Sequence, residues 1–573
     1  MVFFGEYDFK EKNAKDTYIF KNDKVRFKGD DGFSVKINGK NYAIIFTGEI
    51  YNRNNIKKEL NLRGFSPKTD SELLLLCYYA SGLEFINKLD GVFSFAIYDD
   101  EQKTLLLARD HLGVMPLFYT FENGFSFSSN LDCLIQKEEK IGIDSLREIF
   151  GIGPARTPGT TAFKHIKEIL PGSYAHFISG VFSEEKYFKL TPNIHIDDFE
   201  TTIEKIKYMV TNSIQNKINS DTCSLLSGGI DSTIVTTVAN NYSKSNFDTK
   251  ISTFSFDYVD NKKYFVSGDF QPGEDRPFVE IVSKKLETEH TFLEIGIDDL
   301  ISYLYKAVDA KALPGMGDID SSLLFFLEKI KQGYSSFLTG EGADEVFGGY
   351  PWFIREDLIN SNSFPWSNNI HYRTFFIDDE VKNKLDLKEY TEHKYRQSLN
   401  NSPSIFSESP EEKRLRDIYY LNTQWFMQTL IERTQRISKY LNIIPRMPYA
   451  NAELVQYVYN IPWYIKTKDN VTKYTLRKAF ENTVPKEIVY RKKSPFPKTY
   501  NPKYTEELLK IFRKDVLNKN SALYPLLNIE IVNNIEKEHT KPWFGQLMQG
   551  PQQLAYLIQI NYWIEKYNIS IKI

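Results

Sequence analysis

Apolar residues in the first third of the chain come in short runs or alternations parted by polar turns. Residues 42–46, 91–98, 104–108 and 117–120 are four such stretches, and a polar turn at 98–102 separates two of them. Each predicts a strand. A helix is predicted over 71–80, where Ser71 opens an apolar run directly after Asp70, an N-capping residue type. Strands around a few helices predict layered sheets with helical cover. Residues 191–200, TPNIHIDDFE, read as part of a linker. Beyond them Ile203, Ile206, Met209, Val210, Ile214 and Ile218 recur at helical spacing. At 223 the pattern changes. Residues 223–226 predict a strand, Ser227 to Gly229 a turn and 231–240 a helix, with further strands at 251–256 and 336–338. Short strands alternating with longer helices argue for a parallel α/β sheet. The pattern from 405 to 573 is mostly helical, with aromatics gathered at 424–427 and 543–564.

Length adds that 573 residues exceed one ordinary core, so two domains or a few are expected. A net charge of -3, from 72 basic and 75 acidic residues, gives no electrostatic footprint for nucleic acid. No apolar run reaches about 18 residues, so no membrane span is predicted. The opening MVFFGEYDFKEKNAKD lacks a basic segment leading into an apolar one, which predicts no secretory leader and a cytoplasmic protein. Cys77, Cys133 and Cys223 show neither metal-ligand spacing nor a disulfide framework.

Candidate chemistry begins at Leu225-Leu-Ser-Gly-Gly-Ile-Asp-Ser232, a strand running through glycines into a helix. Gly228 and Gly229 permit a tight turn with N–H groups free for oxygen anions, and the helix start favours negative charge. Ser227 and Ser232 can add hydroxyl bonds. Asp231 would repel a phosphate unless a cation intervenes, so it is read as a Mg²⁺ ligand. An ordinary strand–turn–helix corner is the alternative, and the lysine of a Walker loop is absent.

The second constellation is Thr339-Gly-Glu-Gly-Ala-Asp-Glu345, followed by Gly348-Gly349. Asp344 would reach the same metal from a neighbouring strand end, in the crevice where open sheets collect ligands. An acidic surface turn is the bland reading of this cluster, but the two loops together favour a phosphate and metal site. Lys473 and the run Arg491 to Lys493 are candidates to balance the departing anion, although each read alone suits a solvated surface.

These segments resemble the glutamine-hydrolysing asparagine synthetase family over nearly the whole chain. The resemblance implies an N-type ATP pyrophosphatase domain, α/β with a parallel sheet and a helical C-terminal extension, over 206–573. It places ATP against Leu225, Phe256, Thr339 and Gly340, and Mg²⁺ on Asp231 and Asp344. It makes Lys473 the lysine that steadies the phosphates, and Glu341 the base that takes a proton from ammonia. Glu341 also weighs against the related β-lactam synthetases. Asp275-Arg-Pro-Phe278 and the stretch from Leu313 to Ser322 resemble family segments beside the substrate pocket.

Residues 1–190 resemble the class II glutaminase domain, an α+β layered Ntn-type fold, through Gly48-Glu-Ile-Tyr-Asn52, Thr69 to Glu72, Leu89 to Ala96 and Ala108 to Gly113. That domain uses a cysteine at position 2, where this chain has Val2. Thr47 replaces an oxyanion-hole asparagine, while Asp70 stays where the glutamine amino group would bind. A degenerate, inactive glutaminase half is therefore expected, joined through a 191–205 linker. Between 435 and 451 three positions acidic in the family are Gln435, Ile444 and Asn451, which opens the question of another carboxylate. The expected activity is amide formation through an acyl-adenylate, asparagine from aspartate and ammonia first. Another carboxylate in specialised metabolism and a non-catalytic scaffold are the alternatives. Expected partners are the small carboxylate and ammonia, with a separate glutaminase subunit and a homodimer to be considered.

Overall fold

The computed structural model describes residues 2–7, 18–267, 273–367, 369–532, 535, 542–546 and 548–573. The expectation of no leader rests partly on residues 1 and 8–17, which lie outside the described residues. The chain divides into two compact units, 1–137 with 158–190 and 138–157 with 191–573.

The first unit is sheet-rich. Strand Lys40–Ile50 pairs with Gly91–Asp99, which pairs with Thr104–Arg109, inside a six-stranded antiparallel sheet. A second six-stranded sheet holds Phe3–Tyr7 between Phe125–Ser128 and Val25–Gly29. Side chains alternate between faces with a period of two. Ala43, Ile45, Ala96, Tyr98, Leu105 and Leu107 meet Phe3, Val25, Phe27 and Phe127 of the other sheet. Tyr42, Ile44, Phe46, Phe95 and Ile97 meet Leu73 to Leu76 of helix Asp70–Ser81. Burial on both faces is why these strands read as continuous apolar runs. The cap of that helix differs from expectation. Thr69, not Asp70, is the N-cap, its hydroxyl accepting from Glu72 N at 3.2 Å. Extended backbone at Thr69 suits a cap, whereas Asp70 is already helical. Residues of the Ala108 to Gly113 segment build a turn. Arg109 donates to the carbonyls of Met115, Ile169 and Gly113, and Asp110 accepts from the N–H groups of Val114 and Met115.

The second unit is mixed α/β with a helical extension. Five parallel strands lie in the order Glu289–Ile295, Ser252–Tyr258, Thr222–Leu225, Ser336–Leu338, Ile444–Arg446. The chain lays its first three strands in one direction, then returns to the other side of Thr222–Leu225. That reversal opens a crevice at the carboxyl ends of Thr222–Leu225 and Ser336–Leu338, the place where open sheets bind ligands. Both candidate loops leave from those two strands. Helices dominate after 405, including Met427–Leu441 and Gly550–Lys566. Among the described residues no helix is long and apolar enough to cross a membrane.

Candidate active site

The phosphate-type loop turns at Gly228, whose φ of +70° and contact with the Phe278–Val279 backbone leave no room for a side chain. Gly229 then caps helix Ile230–Phe247 without any side-chain cap bond. Ser227 and Ser232 join hydroxyls at 3.0 Å, and Ser232 Oγ also accepts from Ser227 N at 3.1 Å, which fixes the loop. The acidic loop abuts it. A Cβ at Gly340 would lie 2.8 Å from Ser232 N, so only glycine lets the two backbones come this close.

A cavity of about 300 Å³ opens where these loops meet. Leu225, Ser227, Gly229, Asp231, Ser232, Phe256, Thr339, Gly340, Glu341, Asp344 and Lys473 all line it, so the crevice gathers nearly every candidate residue. Gly228 shapes the turn without lining the cavity. Phe256 packs between Phe326 and Phe496, with ring centroids 4.9 and 5.3 Å away, and gives one end an aromatic wall.

At the other end charges pair. Lys473 Nζ lies 2.5 Å from both Asp231 Oδ2 and Asp344 Oδ1. Lys493 also reaches Asp344. Burial by itself would lower the Lys473 pKa, but the two carboxylates outweigh it and raise it. Burial likewise opposes ionisation of Asp344, yet Lys473 and Lys493 hold its carboxyl far below the usual range. Asp231 Oδ1 is buried without a hydrogen-bond partner. Two carboxylates from neighbouring strand ends, one with an unsatisfied oxygen, fit Mg²⁺, which takes one or two protein carboxylates and completes its shell with phosphate and water. Among the described residues no three acids, histidines or cysteines form a closed metal cage.

Lys473 is not inside a helix as the pattern suggests. It is the N-cap of Tyr474–Phe480 with φ of 56°. The turn at Asp469 and Asn470, both left-handed, ends the preceding segment and delays helix entry until Tyr474.

Glu341 sits deeper. Arg433 donates to its Oε1 at 2.8 Å and Thr434 Oγ1 donates to Oε2. Burial raises its pKa against the pull of Arg433, which moves a carboxylate toward the range useful for a general base. Next to Asp344, burial and that neighbour's charge push Glu345 up to about 7, and Tyr350 OH donates to it.

Arg433, Thr434 and the pairing of Lys493 escape sequence reasoning. A charged residue in an amphipathic helix reads as solvated, and no local pattern shows that Arg433 turns inward over Phe496, 5.1 Å from its ring centre. Arg491 likewise pairs with Asp275 and lies 3.9 Å over the Phe278 ring. The three altered positions do not line the cavity. Gln435 is buried in helix Met427–Leu441. Ile444 opens the edge strand, donating its N–H to Ser335 O at 2.8 Å. Asn451 caps helix Ala452–Asn460, accepting from Leu454 N at 2.9 Å.

The family described as "Asparagine synthase" matches residues 206–565, and "Glutamine amidotransferase domain" matches 34–188. "Asparagine synthetase [glutamine-hydrolyzing] 3" of Bacillus subtilis is 40% identical over 93% of this chain and 88% of its own. "Asparagine synthetase [glutamine-hydrolyzing] 1" of the same organism is 27% identical over 81% and 77%. "Asparagine synthetase B [glutamine-hydrolyzing]" of Escherichia coli is 26% identical over 55% and 53%.

Proposed function

This chain belongs to the glutamine-hydrolysing asparagine synthetase family, and on that premise we propose that its second unit makes asparagine from aspartate and ammonia through an aspartyl-adenylate. The observation that carries the reading is the convergence of Asp231, Asp344 and Lys473 beneath the Ser227–Ser232 loop. Under this reading the unit is an N-type ATP pyrophosphatase and the first unit an Ntn-type glutaminase fold.

The N–H groups at the start of helix Ile230–Phe247, with the Ser227 and Ser232 hydroxyls, hold the phosphates of ATP. Leu225, Phe256, Thr339 and Gly340 enclose the nucleoside. Asp231 and Asp344 would hold Mg²⁺, which when bound offsets charge on the triphosphate and on departing pyrophosphate. A substrate carboxylate oxygen attacks the α-phosphorus, the bond to the bridging oxygen breaks, and pyrophosphate leaves. Lys473 and Lys493 stand beside the metal carboxylates, where their charge favours that departure. Ammonia then attacks the acyl carbon. Glu341 accepts its proton, and AMP departs with the bonding pair.

That all three altered positions lie off the cavity lining supports aspartate over a different acid. Ammonia as the nitrogen source is supported in the first unit. Arg53 Nε lies 3.0 Å from Asp70 Oδ1 and supplies that carboxylate with a cation. Thr47 stands in strand Lys40–Ile50. Cys77 is buried in a helix, Cys133 is exposed, and Cys223 is buried in the second unit. Assaying asparagine with ammonium and with glutamine as separate donors tests this. Product from ammonium alone is expected, and equal rates with glutamine would refute the silent half.

A further inference from the structure

Helix Trp463–Lys466 lies outside the cavity lining, yet it joins the two sides of the charged cluster. Lys466 is 1% exposed. Its Nζ donates to Val458 O at 3.0 Å, in the last turn of helix Ala452–Asn460, a favourable place for a cation. The ammonium also lies 4.4 Å over the Trp463 ring and 4.8 Å over the Tyr419 ring. Among the described residues no carboxylate is ion-paired with it. Glu412 spends both oxygens on Trp463 N, at 3.0 and 3.1 Å, and Glu408 is paired with Arg416. A buried cation without an acid is costly, and an apolar side chain of the same length would fill this space more cheaply.

What the cation holds in place explains the cost. Trp463 stacks on Phe353 with centroids 4.7 Å apart, and its ring presses on Gly348, where a Cβ would lie 2.6 Å away. Gly348 is the C-cap of Ala343–Phe347, the short helix that carries Asp344. Gly349 donates back to Asp344 O at 2.8 Å. In the other direction Thr467 N is tied to Trp463 O at 2.9 Å, and the Lys468–Val471 turn then delivers Lys473. One short helix therefore abuts the segment holding Asp344 and leads into the segment holding Lys473.

We propose that Lys466 is a positioning residue for the adenylation step: it clasps Trp463 so that Asp344 and Lys473 are held in register. The inference rests on the adenylate-forming reading of the cavity. In the full-length protein, Lys466→Met and Trp463→Leu should each lower kcat of ATP–pyrophosphate exchange by about tenfold to a hundredfold, with KM for ATP little changed. Lys466→Met should keep or raise Tm. The double variant should be no worse than the poorer single one, because both changes break one clasp. Hydrogen exchange in Lys466→Met should quicken at 343–350 and 467–475 and stay unchanged elsewhere. Wild-type kcat in Lys466→Met, or a loss that merely follows a lower Tm, overturns the proposal. Unaltered exchange at both segments overturns it too. Should the wild type itself show no pyrophosphate exchange, the functional reading fails, and hydrogen exchange alone decides the clasp.

Discussion

Lys473 Nζ stands 2.5 Å from Asp231 Oδ2, across 242 residues of sequence. The lysine pairs with two buried carboxylates, Asp231 and Asp344, and under the proposed function the same ammonium meets a departing anion. Replacing it harms both tasks. Lys473→Met should cost about a hundredfold to a thousandfold in kcat, the size of loss seen when one charge-stabilising donor is removed. It should also lower Tm, since Asp231 and Asp344 would then lose the cation they share. Steady-state kinetics and calorimetry on one preparation check both.

Under the proposed function Glu341 serves one half-reaction and not the other. Its carboxylate meets Arg433 and Thr434 on the cavity wall, and the proposed chemistry needs it only when nitrogen attacks. Glu341→Gln should leave ATP–pyrophosphate exchange within a few-fold while amide formation falls by about a hundredfold or more. Equal losses in both assays would place Glu341 in adenylation instead.

Lys466 predicts a pH dependence of stability. Burial, aided by the charge of Arg416 and opposed by Glu412, pushes its ammonium down to about 7. Other groups facing it are Tyr419 and Trp463, with Glu408, Tyr459 and His195 beyond. The unfolded chain keeps the proton up to the ordinary value of 10.5, so between these values it binds more protons than the native state. Stability from this group therefore rises with pH, by at most about 1.4 kcal/mol per unit. Urea unfolding should show the wild type gaining about 2 kcal/mol on Lys466→Met between about pH 7 and about pH 9.

Asn451 is a structural cap in the altered segment. Asn451→Ala should cost about 1 kcal/mol through loss of the bond to Leu454 N, without changing which carboxylate is used. Asn451→Asp keeps an acceptor at the cap and should be near neutral. A changed substrate profile in either variant would contradict the geometry.

The two loops were legible in the sequence because each packs its chemistry into consecutive residues, with strand and helix signals on either side. Parallel order was legible too, since crossover helices force it. The pairing of loops with distant cations was not. Arg433 meets Glu341 across 92 positions and Lys493 meets Asp344 across 149, and nothing local distinguishes such residues from solvated ones. Asp70 shows the limit at finer scale. Thr69 and Asp70 are both capping types, and only the backbone angle decides which one caps. Gln435, Ile444 and Asn451 stood out as departures, but only the fold shows that they lie off the cavity.

ATP–pyrophosphate exchange with Mg²⁺, aspartate and no nitrogen donor tests the central claim most directly. The account predicts exchange that needs aspartate and Mg²⁺ together and is abolished in Asp231→Asn with Asp344→Asn. Exchange that ignores aspartate, or none at all from well-folded protein, would contradict it.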